Sequence, residues 1–397
     1  MRRHVALLFI ALCLTATAIG AQAPQSPSNA PVDGRNCLPE DGIQLRPGTP
    51  ARIDLVFALD STGSMGGLIE AAKQKIWSIA NVIASAQPTP EIRIGLLTYR
   101  DRGDAYVTRL TPLSADLDAV YVVLIQTQAG GGGDGPESVN QALHEAVTRF
   151  DWTPEPSALR LIFLVGDAPP HMDYADDVPY TETSVLASGQ GIVINTIQCG
   201  AWVETTQVWR SIASRATGEF FQIAQSGGTT AVTTPYDAEL ARHARLLDGT
   251  LVPYGTAAAM DAHEEHLEAS RKIAEEASAE ALADRAAFKA GRAGTASLTG
   301  RSELVRDTLA GSVRLEDIPA EQLPEQMRGL SLEERRRYVE MMAEQRRGLR
   351  EEVEWLSRQR RRHLEEGSHS REDAFDQRVV QALRCQAQRK GISLENP

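Results

Sequence analysis

The sequence predicts an α/β fold, a doubly wound and mainly parallel sheet, followed by an α-helical C-terminal region. The first observation is that short apolar runs alternate with amphipathic stretches between residues 53 and 223, as in repeated βαβ units. The second is that the composition after residue 227 changes to Ala, Glu and Arg, which favours helices. The 397 residues, 42% hydrophobic and 24% charged, allow two or three folded domains.

Two segments precede this fold. Residues 1–21 place Arg2 and Arg3 before an apolar run that ends in small residues, which predicts a secretory signal peptide. Residues 22–50 are rich in Pro, Ser and Asn and predict a flexible arm. The apolar run is short for a membrane span, and no other stretch is long enough. We therefore expect a secreted or periplasmic protein with no transmembrane segment after signal removal.

The α/β domain is assigned to residues 51–227. Its central strands are predicted from β-rich apolar runs, and a more polar run predicts an antiparallel edge strand. Apolar residues at helical spacing predict the helices between them. The predicted strands are residues 53–59, 92–98, 106–110 (the edge strand), 159–166, 192–198 and 219–223, and the predicted helices lie within residues 68–83, 117–124 and 139–147.

The C-terminal region, residues 228–397, is predicted to consist of charged helices interrupted near residues 291–299, Pro319 and Pro324. The clearest helix begins at Ser331, which forms a capping box with Glu334. Its apolar stripe contains one arginine and runs through Val339, Met342, Arg346, Leu349, Val353 and Leu356. The stripe favours packing against neighbouring helices, and self-association through a coiled coil is the alternative.

Net charge and cysteines restrict the possible partners and the compartment. The chain carries 53 acidic and 41 basic side chains, a net charge of −12 that becomes −14 without residues 1–21, so nucleic acid is not expected as a partner. Outside the signal peptide only three cysteines remain. Cys199 ends a predicted central strand and is expected to be a buried free thiol, which leaves Cys37 and Cys385 as the possible disulfide pair.

Oxygen-bearing side chains follow the first predicted strand. Asp60, Thr62 and Ser64 alternate along the turn before the first helix. Ligands bind at the carboxyl ends of parallel strands, and a carboxylate with two hydroxyls suits a hard cation, Mg²⁺ first and Mn²⁺ second. The alternative is that the hydroxyls only cap the helix.

Two further segments are expected at the same edge of the sheet. A glycine-rich loop at residues 130–135 leads through Pro136 and Glu137 into a helix, and Asp167 directly follows the strand predicted at residues 159–166. The topology of a doubly wound sheet brings all three loops together, so the sequence predicts a metal site built from them.

This set of motifs resembles the von Willebrand factor A (VWA) domain and its metal-ion-dependent adhesion site (MIDAS). The resemblance covers about residues 53–227. It implies that the Asp60, Thr62 and Ser64 turn is the first MIDAS motif, that Asp167 is the third, and that Glu137 is the acidic ligand seen in integrin β-type and many bacterial members. The usual second-loop threonine is replaced by glycines.

The resemblance also implies a function. Asp134 and the Pro136 carbonyl look like ligands of the second cation of the integrin β type, and the alternative is that Asp134 is an ordinary solvated turn residue. Ca²⁺ is a further candidate for the bound cation. We expect protein binding, in which an acidic residue of the partner completes the cation's coordination shell. The loops of the site carry no nucleophile beside a base, so no enzymatic activity is expected. The segment after the domain resembles that of exported bacterial proteins of unassigned function.

Two other functions compete with protein binding. An Asp at the end of the first strand is the nucleophile of haloacid dehalogenase-type phosphotransferases, but these need a second Asp two residues later, where Thr62 stands. The other competitor is an envelope scaffold in which the cation serves only to hold three loops together.

Several remaining motifs are interpreted as structural. His263 and His266 lie three residues apart, whereas the zincin motif needs a spacing of four, so they are expected on a solvated helix face. His171 lies four residues after Asp167 and could reach the rim of the site, but a lone histidine after two prolines favours a solvated loop residue. The Arg-Gly-Asp tripeptide within residues 100–104 is interpreted as a turn.

Overall fold

The structure is a computed structural model that describes residues 37, 50–224, 233–294, 302–367 and 371–394. The predicted signal peptide and most of the predicted arm lie outside the described residues. So does most of the predicted helix break at residues 291–299. All described residues belong to one unit, Gly34–Pro397.

A six-stranded sheet forms the centre of the α/β domain and confirms the predicted fold class. Its strand order is β4-β3-β1-β5-β6-β7, with β4 antiparallel to β3 and every other pair parallel. The antiparallel edge strand begins two residues later than predicted and extends further. The strands are β1 (Arg52–Asp60), β2 (Ala86–Gln87), β3 (Glu91–Tyr99), β4 (Thr108–Ser114), β5 (Leu159–Gly166), β6 (Ile192–Cys199), β7 (Phe220–Ile223) and β8 (Ser393–Leu394).

Helices cover both faces of the sheet because its central strands are apolar on both sides. Every residue of β5 and of β6 is buried. One face packs against α1 and α2 in a first apolar cluster, and the other packs against α3, α4 and α5 in a second. These helices are α1 (Gly66–Ala84), α2 (Leu117–Gln126), α3 (Val139–Thr148), α4 (Tyr180–Gly189) and α5 (Val203–Arg215).

The C-terminal region is helical, as predicted. It contains α6 (Asp237–Asp248), α7 (Ala257–Glu276), α8 (Ala279–Ala290), α9 (Leu304–Leu309), α10 (Glu325–Arg328), α11 (Leu332–Gly367) and α12 (Arg371–Arg389). Pro319 and Pro324 each precede a short helical turn, which agrees with the predicted interruptions. No helix of the described residues is long and apolar enough to cross a membrane.

The helix α11 has the predicted capping box and apolar stripe. The Ser331 backbone N–H donates to the Glu334 carboxylate at 2.8 Å, and the Glu334 N–H donates back to the Ser331 hydroxyl. Leu349, Val353 and Leu356 are buried in a cluster with α6 and α8. The stripe therefore packs within the chain, which is the favoured of the two predicted arrangements.

The cysteines are arranged as expected. Cys37 is disulfide-bonded to Cys385 in α12, and Cys199 is a buried free thiol at the end of β6. The bond fixes the start of the described chain to the last helix.

Candidate metal centre

The first candidate loop follows β1 and is organised by Asp60. Its Oδ1 atom accepts hydrogen bonds from the Thr62 backbone N–H at 2.8 Å and from the Thr62 hydroxyl at 2.7 Å. The Thr62 and Ser64 hydroxyl oxygens are 3.3 Å apart, and the Ser64 hydroxyl donates to Asp167 Oδ1 at 3.0 Å. A continuous chain of oxygen atoms thus runs from Asp60 to Asp167, across two loops that the sequence separates by about a hundred residues.

Glu137 reaches the same point from the glycine-rich loop. Its backbone N–H donates to the Pro169 carbonyl at 2.9 Å, and its own carbonyl accepts the His171 N–H at 3.0 Å. These bonds hold the second loop against the loop that follows β5. A side chain at Gly132 would contact both Glu137 Oε1, 3.3 Å from the ideal Cβ position, and Thr62. Glu137 is therefore next to Thr62, and these close contacts together with the φ of +79° favour glycine at position 132.

Asp60 and Glu137 are buried, and within the described residues no basic side chain lowers the pKa of either. Burial raises the pKa of Asp60 to about 7, an effect that the hydrogen bonds from Thr62 partly offset. Burial, and then the charges of Asp60 and Asp101, raise the pKa of Glu137 to about 9. Within the described residues, Asp60 Oδ2 and Glu137 Oε2 are buried and accept no hydrogen bond. A divalent cation would stabilise the charged form of the two buried carboxylates and would coordinate the two oxygens that accept no hydrogen bond. The set of carboxylate and hydroxyl oxygens fits Mg²⁺.

The conformation of the glycine-rich loop depends on Asp104, which sequence reasoning missed. Its carboxylate accepts the Gly132 N–H at 2.9 and 3.1 Å. Gly131 and Gly132 have φ values of +80° and +79°, which favour glycine. The Gly131 carbonyl in turn accepts the Gly63 N–H at 3.2 Å, so this loop is bonded to the first one. The glycines that replace the usual threonine therefore give the loop its shape.

Asp134 lies beside Asp101 and His171. His171 Nε2 is 3.4 Å from Asp101 Oδ2 and 3.5 Å from Asp134 Oδ1. The expectation that His171 is a solvated loop residue is wrong: only 7% of its surface is exposed, because it packs against Tyr174 and the Glu137 segment. Asp101 belongs to the segment interpreted as a turn. The sequence feature that could have identified Asp101 is its position directly after β3, at the carboxyl edge of the sheet.

The expected solvated face at His263 and His266 is wrong for His266. His266 is buried, and its Nδ1 lies 3.1 Å from the Asp116 carboxylate at the start of α2. The histidine thus contributes to the contact between α7 and the α/β domain.

Comparison with known proteins finds similarity to one domain family. Residues 54–235 match the family model described as von Willebrand factor A domain. Over 121 residues the chain is 30% identical to "Alpha-protein kinase vwkA" of Dictyostelium discoideum, an alignment that covers 30% of this chain and 19% of that protein. It is 27% identical over 121 residues to "Putative ariadne-like RING finger protein R811" of Acanthamoeba polyphaga mimivirus, covering 30% of this chain and 11% of that protein. The chain thus spans a fifth or less of these relatives.

Solved structures show weaker overall similarity. The conserved hypothetical protein BatB from Bacteroides thetaiotaomicron gives a TM-score of 0.35 at 15% identity, covering 43% of this chain and 90% of that one. Proximal thread matrix protein 1 from the mussel byssus, with a zinc-occupied MIDAS motif, gives 0.35 at 16% identity, covering 44% and 42%.

Proposed function

From the match of residues 54–235 to the von Willebrand factor A domain, we propose that this protein is an exported protein-binding module that depends on a divalent cation. The observation that carries the proposal is the convergence of Asp60, Thr62, Ser64, Glu137 and Asp167 on one point, with two buried carboxylate oxygens that accept no hydrogen bond within the described chain. VWA domains typically mediate metal-dependent protein interactions, and this site has the corresponding oxygen donors.

The cation would be Mg²⁺, with Mn²⁺ or Ca²⁺ as alternatives. The hydroxyls of Thr62 and Ser64 would bind it directly, and the three carboxylates would bind directly or through water. A partner Asp or Glu would supply a further carboxylate to the coordination shell. That contact places an anion on a positive point within a chain of net charge −12, which favours a selective interaction.

Apolar side chains beside the site would extend the contact. Trp202 lies against Gly135, where a side-chain Cβ would be 2.6 Å from the indole ring. Trp202, Val203 and Met172 are exposed by 42%, 65% and 60%. Large exposed apolar side chains next to a charged anchor are typical of protein-binding surfaces.

The proposal includes export and the absence of enzymatic activity. Export is supported by the sequence of residues 1–21 and by the disulfide between Cys37 and Cys385, since such bonds persist in oxidising compartments. The non-enzymatic role is supported by Thr62 at the position where haloacid dehalogenase-type enzymes carry their second Asp.

The first test is calorimetric titration of Mg²⁺ into the full chain and into Asp60→Ala. We expect saturable binding to the unaltered chain and its loss in the variant. Thermal unfolding should show stabilisation by saturating Mg²⁺, about 2.7 kcal/mol at a hundred times Kd, for the unaltered chain alone. Asp151→Ala, an exposed change outside the candidate site, is the matched control and should keep both effects.

The second test measures partner binding with a panel of acidic peptides on an immobilised full chain. We expect binding in Mg²⁺ that disappears in EDTA, with Asp60→Ala, and when the peptide's Asp is replaced by Asn. Binding that persists in EDTA would favour the scaffold, with a cation that only holds the loops. Phosphoester hydrolysis that Asp60→Ala removes would favour the phosphotransferase.

A further inference from the structure

A second cluster of side chains at this edge has a nitrogen ligand. Asp101 follows β3, Asp134 lies in the glycine-rich loop, and His171 follows β5. One potential ligand atom from each lies within 4.8 Å of the other two. This cluster shares no side chain with the Asp60, Thr62, Ser64, Glu137 and Asp167 set, although it lies next to it: the His171 N–H donates to the Glu137 carbonyl at 3.0 Å.

His171 is oriented as a metal ligand would be. Its Nδ1 pairs with Asp173 Oδ1 at 2.8 Å, and its ring stacks on Tyr174 with centroids 4.2 Å apart. With Nδ1 as the donor, the lone pair of the neutral ring is on Nε2. That atom is buried and makes no hydrogen bond within the described residues, although it faces Asp101 and Asp134. A carboxylate behind the imidazole is the usual second partner of a metal-bound histidine.

The separations of the ligand atoms match those around a small cation. Ligand atoms about 2.0–2.1 Å from a tetrahedral zinc ion are about 3.4 Å apart. Nε2 lies 3.4 Å from Asp101 Oδ2 and 3.5 Å from Asp134 Oδ1. Two of the three separations thus fit a tetrahedral zinc ion, and the third, between the Asp101 and Asp134 oxygens, lies within 4.8 Å.

One ligand is held rigidly and another faces solvent. Asp101 is buried and accepts hydrogen bonds from the Ser138 hydroxyl at 2.9 Å and from the Tyr174 hydroxyl at 3.0 Å. The Asp134 side chain is 62% exposed. An ion could enter past Asp134, and the solvent side would supply a water as the fourth ligand.

We propose that Asp101, Asp134 and His171 bind a second divalent cation of the zinc class. An imidazole nitrogen with two carboxylates suits Zn²⁺, whereas Mg²⁺ prefers an all-oxygen shell such as the first site offers. Two carboxylates and a neutral imidazole would balance the charge of a dication. The two sites at this edge then differ in metal preference.

The test titrates Zn²⁺ into the full chain, with Mg²⁺ in large excess to occupy the oxygen-only site, and follows binding by chelator competition. Co²⁺ serves as the visible-absorption probe of a nitrogen-containing site. We expect about one equivalent of bound Zn²⁺ per chain. His171→Ala and Asp134→Asn should each lower the affinity at least about tenfold, and Asp173→Asn by about 10–100-fold.

Controls separate this site from others and from misfolding. Because His171 is buried, His171→Ala could lose zinc binding simply by failing to fold. Asp134→Asn changes an exposed loop residue and therefore tests the site in a chain that should fold normally. Asp60→Ala and His263→Ala should leave zinc affinity unchanged. The proposal is overturned if no saturable zinc binding occurs, if folded Asp134→Asn binds zinc as tightly as the unaltered chain, or if Asp60→Ala or His263→Ala removes the bound zinc.

Discussion

Asp104 fixes the conformation of the glycine-rich loop beside the first candidate site. Its carboxylate accepts the N–H of Gly132 and that of Asp101, so one side chain connects the loop after β3 to the loop before α3. Gly131 lies directly against this carboxylate. Asp104 therefore positions Glu137 indirectly, through the backbone that precedes it.

Replacing Asp104 by Ala should weaken Mg²⁺ binding about tenfold, because a hydrogen bond to a charged group contributes about 1.5–3 kcal/mol. Calorimetric titration of the variant measures the change. Asp104→Asn keeps an acceptor oxygen at the same place and should recover most of the affinity. An Asp104→Ala variant with unchanged affinity would show that the loop keeps its conformation without this bond.

The spacing of Asp60, Thr62 and Ser64 could be recognised from the sequence because the whole motif lies in one turn. Asp167 and Glu137 could be placed because the topology of a parallel sheet brings their loops together. The sequence offered only a weak signal for Asp101 and His171, which follow β3 and β5, and none for Asp104. Their roles depend on contacts between loops distant in sequence, such as the bond from the His171 N–H to the Glu137 carbonyl.

At the scale of elements, a buried group of charges joins α2 of the α/β domain to α8 of the helical region. Arg285 donates to Asp118 Oδ1 at 2.6 Å, and Lys289 pairs with Asp118 and Asp248. All four side chains are nearly inaccessible to solvent. Burial alone would raise the pKa of Asp118, but the charges of Arg285 and Lys289 outweigh it and hold that pKa well below the usual range.

We expect Arg285→Met to lower the free energy of unfolding by about 3–5 kcal/mol, because it leaves the buried Asp118 with less compensation. Chemical denaturation measures the loss. The double variant Asp118→Leu with Arg285→Met removes both charges and should recover much of the stability. A double variant as unstable as Arg285→Met would mean that the shape of the arginine matters more than its charge.

The pH dependence follows from the same pair. Because the pKa of Asp118 is lowered in the folded chain, its ion pairs stabilise the fold at pH values above the pKa that Asp118 has in the unfolded chain, about 3.9. This stabilisation is lost progressively as the pH falls from there through the lower pKa of the folded chain. The double variant should lose less stability than the unaltered chain between pH 5 and 3.

The elements themselves were predicted to different extents. Central strands such as β5 were predicted with their bounds because a run buried on both faces is continuously apolar. The edge strand β4 was displaced because its half-exposed residues give a weaker pattern. The apolar stripe of α11 was predicted, but the helices it packs against, α6 and α8, were not. Arg346, which interrupts the stripe, forms an ion pair with Glu303 at 2.9 Å that local sequence does not reveal.

For the whole molecule, the disulfide connects residues 348 positions apart and closes nearly all of the described chain into one loop. The unfolded chain loses conformational freedom when so long a loop is closed, while the folded chain keeps both ends close in any case. Composition indicated the α/β and helical parts, and the expected Cys37–Cys385 pair already implied that the last helix returns to the start of the described residues.

Cys37→Ser should therefore lower the free energy of unfolding by about 2–5 kcal/mol. Denaturant unfolding with and without dithiothreitol measures the effect, and the reductant should destabilise the unaltered chain but not the variant. Dithiothreitol should still lower the free energy of unfolding of Cys199→Ala, because Cys199 is a buried free thiol and takes no part in the disulfide. Equal stability of oxidised and reduced unaltered chain would mean that packing of α12 alone fixes that end. Mg²⁺ affinity should be the same in both redox states, because the candidate site is built on loops between β1 and α5.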